Sequence, residues 1–153
     1  IAQVIAHLLH LASVSTKPIN LVISKYGGSV DEMFSLYDTI KFLPCPVHTI
    51  ALGKVMSAGV LILATGQKGH RLIGKNARIM IHPMSGVCHG NVFEIQNEKK
   101  EMDRMQELMV ECLATETGLT RRAINKIMKK GQDHYLTPRQ AMRLGIVDSI
   151  VGE

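Results

Sequence analysis

The 153-residue sequence contains no tryptophan, and aromatic residues make up only 4% of it. There is little to stack on nucleobases. The basic pairs Arg121-Arg122 and Lys129-Lys130 read as solvated helix faces, so no nucleic-acid partner is expected. Long apolar runs are also missing. The densest, Ala58 to Ala64, falls far short of the roughly 18 residues of a membrane span, which excludes a membrane-embedded class. No basic-then-apolar signal peptide stands at the start, where the chain opens abruptly at Ile1. Cysteines are few and odd in number (Cys45, Cys88 and Cys112), with no CxxC spacing. That argues against a disulfide framework and a zinc knuckle, and it suits a reducing compartment, the cytoplasm or an organelle interior. The seven histidines form no HExxH or comparable spacing, so no catalytic metal is expected. Neither GxGxxG nor GxxxxGK[ST] occurs, which disfavours a nucleotide cofactor.

Hydrophobic residues make up 46% of the chain and charged residues 20%, enough apolar mass for one packed domain. The net charge of +5 is modest and scattered. Short apolar runs alternate with helical periods and point to an α/β fold. The spacing predicts a helix over 1–11 and a β-branched strand over 19–23, which ends at Lys25-Tyr26-Gly27-Gly28. Ser29 or Asp31 caps a helix reaching about Lys41, with Met33, Leu36, Tyr37 and Ile40 on one face. A strand follows over 47–52, then a loop over 53–57 and a buried helix over 58–64. Residues 71–73 and 77–81 read as strands, and the first two strand–helix pairs suggest βαβ crossovers. Pro83 to Gly90 is loose. Asn91 to Thr117 reads as one long charged helix with a stripe of Met102, Met105, Leu108, Met109 and Cys112. Thr120 caps another helix stopped by Gly131, and Thr137-Pro138 opens a short one closed by Gly145. A strand over 146–151 ends the pattern.

Three residues in this pattern are suited to acyl-transfer chemistry. Ser57 lies between a strand and an apolar helix, where free helix N–H groups can stabilise an oxyanion. Its ordinary reading is an N-cap, and the window Val55-Met56-Ser57-Ala58-Gly59 is not a GxSxG elbow. His82 closes the run Ile79-Met80-Ile81 and can face a cleft as a general base; its ordinary reading is a half-buried, satisfied imidazole. Asp133 lies in Gly131-Gln132-Asp133-His134-Tyr135 between helices, able to orient an imidazole or simply to form a turn. Gly27-Gly28 offers a backbone N–H for an oxyanion and an edge for an extended peptide, or a plain strand-to-helix turn.

In their order along the chain these windows resemble the family of Clp protease proteolytic subunits (ClpP), which are serine peptidases. The landmarks are Lys17-Pro18-Ile19, Gly27-Gly28, Tyr37-Asp38-Thr39-Ile40, Gly53, Met56-Ser57-Ala58-Gly59 and Ala64-Thr65-Gly66-Gln67-Lys68-Gly69. They continue with Asn76 to His82, Thr117-Gly118, Asp133, Tyr135-Leu136-Thr137-Pro138, Ala141 and Leu144 to Ile150. The resemblance implies Ser57 as nucleophile, His82 as general base and Asp133 as orienting acid. It also implies oxyanion N–H groups from Gly27 and Ala58, and a peptide edge at Gly28 and Ser29.

A crotonase/ClpP-like fold is implied as a single domain over residues 1–153. Its head would span about 1–82 and 118–153, with a handle over about 83–117. The family's N-terminal axial segment is expected to be absent before Ile1. Further implications are homo-oligomeric heptameric rings stacked in pairs, polypeptide substrates and an ATP-driven unfoldase partner. The sequence departs from the family pattern at Lys25-Tyr26, where Ser-Pro is usual, at Ala58 for methionine, at Pro83-Met84 for Gln-Pro and at Gln132 for arginine. The leading expectation is a self-compartmentalising serine endopeptidase. The altered turn and Gln132 motivate a catalytically silent ring subunit as the alternative. A crotonase-type acyl-CoA enzyme is less favoured, because its acid/base groups differ from this set.

Overall fold

The structure, a computed structural model, describes residues 1–128 and 131–153. The Lys129-Lys130 pair therefore lies outside the described residues. The elements run α1 (Ala2–Val14), β1 (Ile19–Lys25), α2 (Val30–Phe42), β2 (Val47–Met56), α3 (Ala58–Ala64), β3 (Arg71–Gly74) and β4 (Arg78–Ile81). They continue with α4 (Val92–Thr117), α5 (Arg121–Met128), β5 (His134–Leu136), α6 (Pro138–Arg143) and β6 (Ser149–Val151). The α/β expectation holds: helices pack on a six-stranded, mainly parallel sheet.

β2 organises that sheet. One edge pairs with β1 in parallel from Ile19↔Val47 to Ile23↔Ala51. The other edge pairs first with β3 through Thr49–Ala51, then with β4 through Lys54–Met56. Here the sequence reading needs correction, since β2 continues through Met56 instead of ending at Leu52. The β1–β2 register slips between Ile23↔Ala51 and Lys25↔Val55. Gly53 sits within the slip at φ +64. Its missing Cβ lets the strand bulge and continue where the pattern predicts a loop. The extra length carries the chain directly to Ser57.

α3 is buried on every side, from Ala58 to Ala64, which explains an apolar helix with no polar face. Its Leu63 shares the core with Val55, Ile73, Ile79 and Ile146, all essentially inaccessible. The helix caps follow the sequence closely. The Ser29 hydroxyl accepts from Glu32 N–H, Asn91 and Glu94 form a capping box, and so do Thr137 and Gln140.

Three other expectations change. The last strand is confined to Ser149–Val151, because Ile146 and Val147 are buried outside the ladder. β5, in a segment read as an inter-helix loop, pairs antiparallel with β4. Finally, the α4 stripe is buried only toward its C-terminal half, at Met109, Val110, Leu113 and Glu116, while Leu108 is exposed. The first half of α4 and the segment 83–90 are largely exposed and carry Val87, Val92 and Phe93 on the surface. No described helix is long and apolar enough to cross a membrane.

Candidate active site

Ser57 stands between β2 and α3 at φ +54 and ψ −126, the only non-glycine residue with positive φ among those described. Such a conformation costs on the order of 1–3 kcal/mol and persists only where the surroundings impose it. Three contacts impose it here. Ser57 N–H donates to Met80 O at 2.8 Å, Val60 N–H donates to Ser57 O at 2.9 Å, and Gly27 packs against the serine side chain. The N-cap reading does not survive, since the hydroxyl makes no cap hydrogen bond to α3. Instead Ser57 Oγ lies 2.7 Å from His82 Nε2, hydrogen-bonded across 25 residues of sequence. With Nε2 unprotonated, the hydroxyl donates to it.

The sheet places this pair. β4 runs beside the C-terminal half of β2, so the exit of β4 brings half-buried His82 over the turn that carries Ser57. β5 adds the third residue to the neighbourhood. Ile81 pairs with His134 at the end of the antiparallel ladder, so His82 and Asp133 each lie one residue beyond its last pair. The structure thus brings Ser57 and His82 into hydrogen-bond contact, while Asp133, just before β5, is exposed and makes no hydrogen bond to either among the described residues.

The two glycines occupy different positions. Gly27 adopts φ +127, and a Cβ there would lie 2.8 Å from Ser57 Cβ and 3.2 Å from its Oγ. Only glycine tolerates both the backbone angle and the approach. Its N–H makes no backbone hydrogen bond among the described turns and loops. Ala58 N–H is at the first position of α3, where no intrahelical acceptor exists.

Gly28 lines a cavity of about 80 Å³ with Ser57, Ala58 and His82. Its remaining wall is Val30, Met33, Met84, Ser85 and Met109. These wall residues carry no motif: Met33 and Met109 read only as helix-face residues, and Met84 lies in an irregular segment. Ser29 does not line this cavity. It caps α2 and faces a larger cavity of about 180 Å³ on the far side of Gly28, bounded by α1, β1 and α2 and containing neither Ser57 nor His82. The unusual Lys25-Tyr26 turn is braced from outside, with Lys54 Nζ 3.1 Å above the Tyr26 ring centroid. Among the described residues, no group of three or more His, Cys, Asp or Glu side chains could hold a metal ion.

A hydroxyl, an imidazole within hydrogen-bond reach and a helix N-terminus at a small cavity are parts that acyl transfer can use. A family model described as Clp protease matches residues 1–153, the full length of the sequence. The chain belongs to the Clp protease family.

Proposed function

We propose that the chain is a serine endopeptidase that cleaves unfolded polypeptides through an acyl-enzyme. Ser57 Oγ attacks the scissile carbonyl while His82 Nε2 takes its proton and later delivers it to the leaving amine. Asp133 accepts a hydrogen bond from His82 Nδ1–H and holds the productive tautomer. Gly27 and Ala58 N–H groups receive the oxyanion, and Gly28 and Ser29 form the edge on which the peptide lies. Water then resolves the acyl-enzyme by the same proton relay in reverse.

The 2.7 Å contact between Ser57 and His82 carries this reading, because an N-cap serine would have turned its hydroxyl to α3 instead. Assembly into paired heptameric rings, fed by an ATP-driven unfoldase, accounts for two further features. One is the exposed apolar residues of α1 and of the first half of α4. The other is that Asp133 is exposed and makes no hydrogen bond to His82 in a single subunit. In this reading residues 83–117 are the handle and the rest of the domain is the head.

A serine-directed fluorophosphonate tests the assignment on the assembled protein. The expected result is one adduct per subunit, found on Ser57 by peptide mass spectrometry. An assembled protein in which Ser57 stays unmodified overturns the reading and leaves a catalytically silent ring subunit. Gly27→Ala tests the nucleophile's seat. The new methyl collides with Ser57 Cβ in a backbone conformation that L-residues rarely adopt. A displacement of about 1 Å costs on the order of 100-fold in rate, and that loss of kcat for a fluorogenic peptide is expected from a variant whose circular dichroism matches wild type.

A further inference from the structure

We propose that Gln106 is a positioning residue that fixes the chain segments carrying His82 and Asp133 relative to each other; this rests on the Ser57–His82–Asp133 reading above. Gln106 projects from the middle of α4 and is half-buried. Its Oε1 accepts from Met84 N–H at 2.7 Å, two residues beyond His82. Its Nε2 donates to Met128 Sδ at 3.0 Å, at the end of α5. Gly131 N–H in turn donates to Met128 O at 3.2 Å, two residues before Asp133. The amide orientation follows from its partners, since a backbone N–H requires the oxygen and a thioether requires the N–H₂. One side chain therefore clasps the exit from the base and the approach to the acid.

The segment it holds has little else to hold it. Among the described residues, no backbone–backbone hydrogen bond outside helices and strands involves residues 83–90. Apart from Gln106, the side-chain contacts found there are those of Cys88, to Met102 Sδ at 3.9 Å and to Glu98, and the packing of Met84 against the core. Met84 is also a wall of the cavity that contains Ser57 and His82. Without the Gln106 oxygen, the Met84 N–H loses its acceptor and the segment leaving His82 can shift. In the proposed reading the peptide is held by the Gly28 edge, not by the segment after His82. The loss should therefore fall on turnover and spare KM.

Three variants, assayed as assembled protein on a fluorogenic peptide, decide the matter. Gln106→Asn keeps the amide but is one methylene too short for both contacts, and Gln106→Leu removes both. Each is expected to lower kcat by about tenfold or more, with KM within about twofold of wild type. Gln106→Glu keeps an oxygen on Met84 N–H but loses the donor to Met128 Sδ, and is expected at an intermediate kcat, about threefold below wild type. Wild-type kcat in the Asn and Leu variants overturns the proposal. So does a Glu variant as slow as the Leu variant, because the Met84 contact would then be irrelevant. Should Gln106→Leu fail to fold, the Asn and Glu pair still separates these outcomes. Fluorophosphonate labelling separates the two levels. If the triad reading is wrong, wild type and variants alike stay unlabelled at Ser57; if only this inference is wrong, all label at one rate.

Discussion

Ser57→Ala is expected to lower kcat for peptide hydrolysis by about 10⁴–10⁶-fold, the loss seen when a triad nucleophile is removed and only transition-state binding remains. KM should barely move, because the hydroxyl contributes little to holding the ground-state peptide. The residual rate would come from the Gly27 and Ala58 amides, which the substitution leaves in place. Steady-state assays on protein shown by size-exclusion chromatography to assemble as wild type provide the measurement. Activity within tenfold of wild type would remove Ser57 from the chemistry.

A second substitution at the same position separates strain from chemistry. Ser57→Gly deletes the same hydroxyl but accepts φ +54 freely, whereas Ser57→Ala keeps the strained backbone. Relief of strain outweighs the extra unfolded-state entropy of glycine, so the Gly variant should be more stable than the Ala variant by about 1 kcal/mol. Thermal melts of the two inactive proteins measure that difference. Equal melting temperatures would mean that the surroundings of Ser57 relax around alanine.

The parts of this site differ in how far the sequence discloses them. The helix α3 and the caps at Ser29, Asn91 and Thr137 are local features, and local chemistry predicts them. Ser57 and His82 are legible as candidates because each sits at the junction of an apolar run with a break in pattern. Their contact is not legible from pattern. It depends on β2 exchanging β3 for β4 as its partner midway, a non-local choice enabled by the Gly53 bulge. β5 escapes detection because its three residues, His134-Tyr135-Leu136, show no alternation, and its pairing with β4 alone makes it a strand. Asp133 directly precedes β5, so the pairing of β5 with β4 sets where it lies, a relation invisible along the chain. Gln106 is the extreme case. Nothing distinguishes a glutamine on a charged helix until its two partners, each 22 residues away in sequence, are seen at its ends.

The largest effect on stability is expected from Asp148→Ala, far from the nucleophile in sequence but coupled to its helix. Arg71 is buried at the start of β3, and its guanidinium makes four hydrogen bonds. Nε donates to Asp148 Oδ2 at 2.9 Å and Nη2 to Oδ1 at 2.6 Å. Nη1 donates to the carbonyls of Ala64 at 3.2 Å and Glu116 at 2.9 Å. Asp148 Oδ2 also accepts the N–H groups of Gly69 and Arg71, at 2.8 and 3.0 Å. The pair thus ties the last residue of α3 to the last turn of α4. Removing the carboxylate leaves a buried cation without a counter-charge, which costs about 3–5 kcal/mol. About 3 kcal/mol is expected here, because a fifth of the Asp148 side chain remains exposed (21%) and solvent recovers part of the loss. Arg71→Met in the same background should restore a substantial share, since the stranded charge disappears with it.

Acid supplies an independent check. Burial raises the Asp148 pKa, but the hydrogen bonds and charge of Arg71 and the Gly69 N–H outweigh it and hold the carboxyl below its ordinary value. A depressed folded pKa contributes stability that is complete above the unfolded value, near about 3.9, and is lost as pH falls through the lower folded value. The stability gap between wild type and Asp148→Ala should therefore stay constant from neutral pH down to about 4 and close below it. Denaturant melts across that range measure the gap. A gap that closed well above about pH 4 would mean that another titrating group sets the difference. One that persisted undiminished at about pH 2 would mean that the carboxylate's packing, and not its charge, holds Arg71 and the end of α3 in place.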